Sequence, residues 1–460
     1  MKPSLSILWL LAAGLLAACG NSGNSGNSGI VDMTATPMSP PRAAAAKSRV
    51  VVAVLDSALN PYHDFFYAGS PIYAGTAPSS VTPEVLAELG VASADQMQLT
   101  RSGDLAADVA ADAAFWNRVE RGRPYWFKGS NLISVSTCEQ PFKPLQPQAG
   151  KNPHGTGTSA AMLKANPEAV VLFYEACAMP DPPELEYVLG HPAVDILSYS
   201  YNYGLPITEA GTYRGVVELG KLLFQAAGNY PIPTPYQGGA GAWWTIGVSG
   251  IDEQAEGQTV SAALLPDFVA NFTDSLPFCM DCERELLTIS GTSISAPQAA
   301  GVASKVLLEA RRRVSHGGGI RFGADQMPAM VLAGAQRISN WDLRRALEEA
   351  AYVDYGPDGY TPPTPVADLP PVNAIPINPM APWLQIAWGD LSTDPAKGVV
   401  NEALAQLGLG NSTREKPPGY CEFMAEQLRT RQTYSDARGQ ATGETVPTPN
   451  PYRFCDAPPS

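Results

Sequence analysis

The chain has 460 residues, 45% of them hydrophobic and 16% charged, which is typical of a globular protein with one large domain and an appendage, or with two domains. Its formal net charge of −14 argues against nucleic acid as a partner, because proteins that bind nucleic acid present basic surfaces. The charge favours solubility but identifies no substrate.

The first residues have the pattern of a secretion signal. A lysine precedes an apolar run over residues 5–18, which is too short to span a membrane. Residues 16–19, Leu-Ala-Ala-Cys, resemble the lipobox of bacterial lipoproteins, in which the cysteine is lipidated and becomes the first mature residue. We therefore predict a signal peptide over residues 1–18 and a lipid on Cys19. A plain signal peptide cleaved at the same point is the alternative.

A tether is predicted over residues 19–47. Residues 21–29 repeat Asn-Ser-Gly three times, which is typical of a flexible linker, and residues 30–47 are rich in Pro, Ala and Met without a clear period. Gly20 is not the aspartate that typically retains lipoproteins in the inner membrane. The resemblance therefore implies a lipid anchor in the bacterial cell envelope, at the outer membrane or the cell surface.

Six cysteines remain besides Cys19, and an even number in an oxidising compartment predicts three disulfide bonds. They are Cys138, Cys177, Cys279, Cys282, Cys421 and Cys455. Cys421 and Cys455 are the favoured pair because both lie in the short tail. The spacing of Cys279 and Cys282 also suits a thioredoxin-type or zinc site, but a redox pair would open a helix and a zinc site would need a second close pair.

Strands alternate with helices along residues 48–355, which predicts a doubly wound α/β domain with a mostly parallel sheet. The first strand, over residues 49–55, is a continuous β-branched run of the kind that lies buried on both faces. Buried strands are predicted over residues 169–174 and 285–290, and further strands over 194–198, 222–225 and 243–248. Helices are predicted over residues 183–189, 213–219 and 296–313, the first of them short.

A long excursion separates the first two of these strands. Within residues 57–153 we predict helices over 82–97 and 104–119 and one strand over 125–137.

Three polar side chains are candidates for chemistry at the ends of these elements. Asp56 ends the first strand, where open α/β sheets place functional groups, although a turn aspartate is equally compatible. Among the four histidines, His154 alone heads a small-residue helix that suits a rigid catalytic mount. Asn229 follows Gly228 at another strand end, and a left-handed turn residue is the alternative there.

Ser293 lies between the strand over residues 285–290 and the helix over 296–313, with Pro297 near the helix start. The free N–H groups and the positive dipole end of that helix would face negative charge developing beside the serine. This setting suits an acyl-transfer nucleophile, and a helix-capping serine is the alternative.

Four motifs, in chain order, resemble those of the subtilisin-like serine peptidases (subtilases). They are Val-Leu-Asp-Ser at residues 54–57, His-Gly-Thr at 154–156, Ala-Ala-Gly-Asn at 226–229 and Gly-Thr-Ser-Ile-Ser-Ala-Pro at 291–297. Each motif alone is weak, but the four together are specific. The likeness covers roughly residues 48–355, and its last part, residues 340–347, resembles the closing helix of the family.

The resemblance implies a serine endopeptidase with Asp56, His154 and Ser293 as catalytic triad and Asn229 as oxyanion donor. Residues 196–202 correspond to the strand that pairs with the substrate backbone. The substrate-binding residues that it implies are Ser200, Tyr201, Asn202, Ala227 and Gly228. It implies protein or peptide substrates and no cofactor or metal in the chemistry. Structural calcium and the oligomeric state cannot be read from the sequence.

The chain departs from the family pattern in several places. Ala58 replaces the usual glycine after the aspartate motif, Gly157 stands where many members have a second histidine, and Asn202 replaces a glycine on the substrate strand. The last change leaves the shape of the specificity pocket open. Residues 60–150 form an insertion, and residues 19–50 are too short for a folding prodomain. We therefore expect the insertion or the tail to assist folding.

The tail, residues 356–460, is Pro-rich at its start and carries helical candidates over 395–409 and 421–430. It has no catalytic motif, so packing on the peptidase domain, covering the cleft and binding a partner are its open roles. A catalytically silent peptide-binding or scaffolding lipoprotein is the alternative function for the whole chain. Silent relatives usually lose a triad member or the oxyanion asparagine, and this sequence keeps all four.

Overall fold

The computed structural model describes residues 49–138, 141–176, 190–200, 215–217, 220–229, 244–252, 258–260, 266–313, 319–322, 328–331, 337–352, 388–414 and 421. The predicted signal peptide, Cys19, the tether, Tyr201, Asn202 and the helix over 183–189 lie outside these residues. So does the helix over 421–430 apart from Cys421. Within the described ranges, every helix is too short or too polar to cross a bilayer.

A ten-stranded sheet is the centre of the described part of the chain. Its strands are β1 (Val51–Asp56), β2 (Gln96–Met97), β3 (Tyr125–Phe127), β4 (Leu132–Ser136), β5 (Val170–Glu175), β6 (Ile196–Tyr199), β7 (Leu222–Ala226), β8 (Ile246–Asp252), β9 (Gln258–Val260) and β10 (Phe268–Asn271). The order is β10-β8-β7-β6-β1-β5-β4-β3-β2, with β9 paired to β8. All pairs are parallel except β3 with β4 and β8 with β9.

Both faces of the sheet are covered, as the β-branched run of β1 predicts. Because side chains alternate along a strand, Val52 and Val54 enter one hydrophobic core while Val51 and Ala53 enter a second core on the other face. The predicted doubly wound, mostly parallel α/β fold is confirmed.

The helices whose bounds lie within the described residues are α1 (Pro83–Glu88), α2 (Leu105–Ala111), α3 (Ala113–Trp116), α4 (His154–Ala165), α5 (Thr292–Arg313), α6 (Asn340–Ala350) and α7 (Val399–Gln406). Short 3₁₀ turns cover Asp64–Phe66, Pro71–Tyr73 and Ser93–Asp95. Of the helix predicted over 213–219, residues 215–217 are described and are helical. Helix α6 begins with a capping box between Ser339 and Asp342.

The insertion is more broken than its sequence predicts. The helix expected over 82–97 ends at Glu88, because Gly90 takes a φ of 70° that no helix continues. The helix expected over 104–119 divides at Asp112, whose carboxylate accepts hydrogen bonds from Thr100 and from the hydroxyl of Tyr62. That side chain therefore belongs to a tertiary network that fixes the break.

The strand predicted over 125–137 is also two strands. Gly129, with a φ of 83°, turns the chain between β3 and β4, which pair antiparallel. β4 then lies beside β5, so the insertion extends the main sheet.

The prediction of a buried strand over 285–290 is wrong. β12 (Leu286–Ser290) pairs antiparallel with β11 (Thr273–Pro277) in a separate two-stranded sheet. Leu286 is 45% exposed and Leu287 is 37% exposed, because an isolated ribbon lacks the second layer that buries a central strand. A third sheet joins β13 (Gly319–Phe322), β14 (Pro328–Val331) and β15 (Arg337–Ser339).

The described part of the tail packs on the core. Val269 of β10 donates from its N–H to the carbonyl of Gly389 and accepts from the N–H of Leu391, so residues 389–391 run parallel beside β10. α7 places Ala403 and Leu404 in the same hydrophobic core as α5 and α6, and it is shorter than the predicted 395–409.

Cys279 and Cys282 form a disulfide bond with each other. Cys138 and Cys421 are each part of a disulfide bond as well. Cys177 and Cys455 lie outside the described residues, so the Cys421–Cys455 pair stays a prediction.

Candidate active site

Asp56 and His154 form a hydrogen-bonded pair at the end of β1. The Asp56 carboxylate is fully buried, and Nδ1 of His154 lies 2.8 Å and 2.9 Å from its two oxygens. Thr158, one turn into α4, donates its hydroxyl to Oδ2 at 2.9 Å, and the N–H of Ser57 donates to Oδ1 at 2.6 Å. These donors fix the carboxylate, which in turn fixes the imidazole ring.

His154 is the first residue of α4. The preceding segment is held by Ser57, whose hydroxyl donates to the carbonyl of Asn152, and by the Asn152 side chain, which accepts from the N–H of His154. Burial alone would lower the pKa of His154, but the charge and hydrogen bond of Asp56 outweigh burial and raise that pKa above its ordinary value.

Ser293 lies in the first turn of α5 and is partly exposed. Its hydroxyl donates to the carbonyl of Ser200 at 3.2 Å, and the Ser200 hydroxyl donates back to the carbonyl of Ser293 at 2.9 Å. Ser200 directly follows β6. The reciprocal bonds fix the nucleophile candidate to the segment that follows β6.

Asn229 is anchored to the residue before Ser293. Its Oδ1 accepts from the N–H of Thr292 at 2.8 Å and from the Thr292 hydroxyl at 2.9 Å. Gly228, with a φ of 92° that favours glycine, donates its N–H to the same hydroxyl. Since the carbonyl end of the amide is committed, Nδ2 remains as the donor end. Nδ2 lies only 3.3 Å from where a Cβ atom at Gly291 would be.

Helices α4 and α5 bring His154 and Ser293 to the same end of the molecule. A Cβ atom on Gly301 would lie 2.7 Å from the carbonyl oxygen of Met162, so the two helix backbones touch there. That contact lies equally far into each helix, counted from His154 and from Ser293. Further along, Asn166, which follows α4, donates to the Ser304 hydroxyl of α5 at 2.8 Å. At both contacts the residues of the two helices lie at nearly equal distances along the chain from His154 and from Ser293. The helices therefore run parallel, and their N-termini lie together.

The sheet places the remaining residues at this end. β7, β6 and β1 are neighbours in the sheet, and their carboxyl ends lead to Asn229, Ser200 and Asp56 respectively. Open α/β sheets bind ligands outside the carboxyl ends of their strands. Of the other predicted substrate-binding residues, Ala227 and Gly228 lie here, while Tyr201 and Asn202 are outside the described residues.

Two features of the site could not be read from the sequence. The ring of Phe278 stands edge-on to the His154 ring, with centroids 6.2 Å apart and planes at 77°. The same ring explains why glycine replaces the second histidine of the family at position 157. A Cβ atom there would lie 2.8 Å from the Phe278 ring and 3.2 Å from Ile289. The second feature is a buried ion pair of Lys151 with Glu175, the strand neighbour of Asp56. No local pattern announces either contact, because the partners are far apart in the chain.

Among the described residues, one group of side chains has the composition of a metal site. Ligand atoms of His63, Cys279 and Cys282 lie within 4.8 Å of one another. Both thiols are consumed by the disulfide, and Nδ1 of His63 accepts from the N–H of Phe65 while Nε2 faces the carbonyl of Glu285 at 3.1 Å. Burial lowers the pKa of His63, which suits this neutral, hydrogen-bonded ring. These residues therefore do not fit a metal ion in this form.

Comparison with known proteins gives one family assignment. A model described as the Subtilase family matches residues 47–317, and no curated protein matches the chain. The prenylagaramide maturation protease PagA is 16% identical, over 79% of this chain and 94% of that one, with a TM-score of 0.41. A lanthipeptide protease is 14% identical, over 78% and 88%, with a TM-score of 0.41. A cold-adapted subtilisin-like serine proteinase is 14% identical, over 57% and 77%, with a TM-score of 0.34.

Proposed function

The chain belongs to the subtilase family, and we propose that it is a serine endopeptidase that cleaves peptide bonds through an acyl-enzyme intermediate on Ser293. The observation that carries this proposal is the hydrogen-bonded Asp56–His154 pair. His154 begins α4, whose N-terminus lies beside the N-terminus of α5, and Ser293 lies in the first turn of α5. A serine hydroxyl is a poor nucleophile at neutral pH, so it needs such a base.

In this mechanism His154 takes the proton of Ser293 as the hydroxyl attacks the substrate carbonyl, and it later gives that proton to the leaving amine. Nδ1 of His154 bears the hydrogen that is donated to Asp56, which leaves Nε2 as the proton acceptor. Asp56 also stabilises the imidazolium that forms. The raised pKa of His154 agrees with that role.

The tetrahedral oxyanion would be held by Nδ2 of Asn229 and by the backbone N–H of Ser293. The anchoring of Oδ1 by Thr292 fixes the Asn229 amide before the reaction, which is what makes such a donor effective. In subtilisin, for which this effect is established, removing the asparagine donor lowers kcat by about 10²–10³-fold. We expect a loss of the same order for Asn229→Ala.

Protein or peptide substrates would lie along the segment after β6 and the loop after β7. We assign Ser200, Tyr201, Asn202, Ala227 and Gly228 to substrate contacts. No metal or cofactor takes part in this mechanism.

The proposal includes a lipid anchor on Cys19 in a bacterial cell envelope. It rests on the Leu-Ala-Ala-Cys pattern and the Asn-Ser-Gly repeats. One acyl chain binds membranes only marginally, so stable anchoring requires several chains on this cysteine. Cys19→Ala should move the protein out of the membrane fraction, and its retention there would contradict the anchor.

A fluorophosphonate probe tests the central proposal, because it reacts only with an activated serine. The wild-type protein should be labelled and should cleave a denatured protein substrate, whereas Ser293→Ala should do neither. Ser290→Ala, which removes an exposed serine nearby, is the matched control and should be labelled normally. Cleavage by Ser293→Ala would overturn the mechanism. A wild-type protein inert to both reagents would instead favour the silent peptide-binding protein.

A further inference from the structure

Residues 278–285, which we name the disulfide loop, connect β11 to β12 and begin with the aromatic residue that touches His154. Phe278 is half-buried, and its ring fills the space that a side chain at Gly157 would need. It therefore packs against both the His154 ring and the first turn of α4. The Phe278 ring is therefore a direct neighbour of the imidazole, with its plane nearly perpendicular to it.

The disulfide loop is tied to α4 through one buried side chain. Nδ2 of Asn60 donates to the carbonyl of Cys279 at 3.3 Å and to that of Cys282 at 2.6 Å. The N–H of Asn60 donates to the hydroxyl of Thr156 at 2.8 Å, two residues beyond His154. Asn60 therefore joins the two cysteines of the disulfide to the helix that carries His154.

The disulfide determines the shape of this connection. By joining Cys279 to Cys282 it holds the two carbonyls where one amide group can bind both. The loop is docked further by the N–H of Asp64, which donates to the carbonyl of Glu283 at 2.8 Å. Without the covalent bond, the loop after Phe278 would be held by these hydrogen bonds and by the β11–β12 ladder, in which Pro277 pairs with Leu286.

We propose that Phe278 is a positioning residue for His154 and that the Cys279–Cys282 disulfide keeps Phe278 in place. This inference rests on the proposed function, since it assigns Phe278 a role in the orientation of the base. Phe278 restricts His154 to the rotamer that bonds to Asp56, and it shields part of the imidazole from water. The disulfide is accordingly part of the catalytic architecture.

The first test is Phe278→Ala, measured with a peptide substrate. We expect kcat to fall by about tenfold or more with KM nearly unchanged, because misplacing a catalytic group by about 1 Å can cost about 10²-fold. Phe278→Leu should restore part of the loss. Leu286→Ala, in the adjacent strand with a side chain 45% exposed, is the matched control and should leave kcat unchanged.

The second test joins Phe278 to the disulfide. Cys279→Ser with Cys282→Ser leaves the remaining cysteines intact and should lower kcat in the same direction as Phe278→Ala. Adding Phe278→Ala to this variant should lower kcat much less than it does in the wild type, because both changes disrupt the same contact, that of Phe278 with His154. Multiplicative effects of the two changes would overturn the link.

A third readout needs no activity. Burial opposes the Asp56 effect on His154, and Phe278 supplies part of that burial, so its removal should move the titration midpoint of His154 to higher pH. Among the described residues, Asp56 faces the ring from β1 and is charged, while Phe278 faces it from the disulfide loop and is uncharged. NMR of the ring protons, assigned with His154→Gln, gives the midpoint in both proteins. An unmoved midpoint with unchanged kcat would overturn the positioning role. A wild-type protein that the fluorophosphonate probe does not label would instead refute the proposed function.

Discussion

Lys151 and Glu175 form a fully buried ion pair beside the Asp56–His154 couple, with Nζ 2.7 Å from Oε1. Glu175 is the strand partner of Asp56, and Lys151 lies three residues before His154. The other oxygen of Glu175, Oε2, accepts from the N–H of Leu145 and from the Ser136 hydroxyl, so both carboxylate oxygens are hydrogen-bonded. A buried charge that is paired and hydrogen-bonded is tolerated, whereas the same charge alone is costly.

The first prediction concerns this pair. Lys151→Met should destabilise the protein by about 3–5 kcal/mol, because it leaves the Glu175 carboxylate buried without its counter-charge. Lys151→Met combined with Glu175→Gln should be closer to the wild type than Lys151→Met alone. Urea denaturation of Lys151→Met, of Glu175→Gln and of the double variant gives the three free energies of unfolding. If the double variant is as unstable as the sum of the two single variants, the pair is not coupled.

The second prediction is the pH dependence of catalysis. His154 must be neutral to act as a base, and Asp56 raises its pKa, so kcat/KM should fall with decreasing pH through a midpoint above the ordinary value of about 6.5. Asp56→Asn removes the charge and should lower both the midpoint and the rate. For stability the sign is opposite. A raised histidine pKa stabilises the fold below the unfolded-state pKa of about 6.5, and this contribution is lost as pH rises through the folded-state value.

The third prediction concerns Glu283 in the disulfide loop. Burial and the neighbouring Asp108 raise the pKa of Glu283 to about 7. In the unfolded chain a pKa of about 4.3 is expected, so the folded protein keeps this proton to a much higher pH. Its stabilising contribution is present at acidic pH and is lost as pH rises from about 4.3 towards about 7. Glu283→Gln cannot ionise and should gain stability over the wild type across this range. Melting temperatures that run parallel at all pH values would contradict this prediction.

The fourth prediction tests the parallel packing of α4 and α5. Gly301→Ala should destabilise the protein by about 1–3 kcal/mol, because its Cβ atom would lie 2.6 Å from that of Ala165. Gly215→Ala is the matched control, since Gly215 is helical and has open space around its Cβ position. That substitution should be neutral or slightly stabilising. Equal effects of the two substitutions would contradict the close approach.

The sequence was sufficient where chemistry and local structure coincide. The β-branched run before Asp56 predicts a central strand, and the small residues after His154 predict a tightly packed helix. Both elements lie where the motifs require them. The helix after Ser293 is confirmed as well, with Pro297 in its first turns.

The sequence failed where a distant partner decides the outcome. Leu286 and Leu287 are apolar, yet they are exposed because their strand pairs away from the main sheet. The break at Asp112 depends on Thr100 and Tyr62. The contact of Phe278 with His154 joins residues that are far apart in the chain, and no periodicity could reveal it.

The pairing of residues 389–391 with Val269 protects the protein from self-association. β10 lies at the end of the sheet order, and without the tail segment its backbone N–H and C=O groups would be open to another chain. Unpaired strand edges recruit further strands and lead to aggregates. A chain that stops before Trp388 would lose this cover, and we expect it to self-associate through β10 even where its catalytic residues are intact.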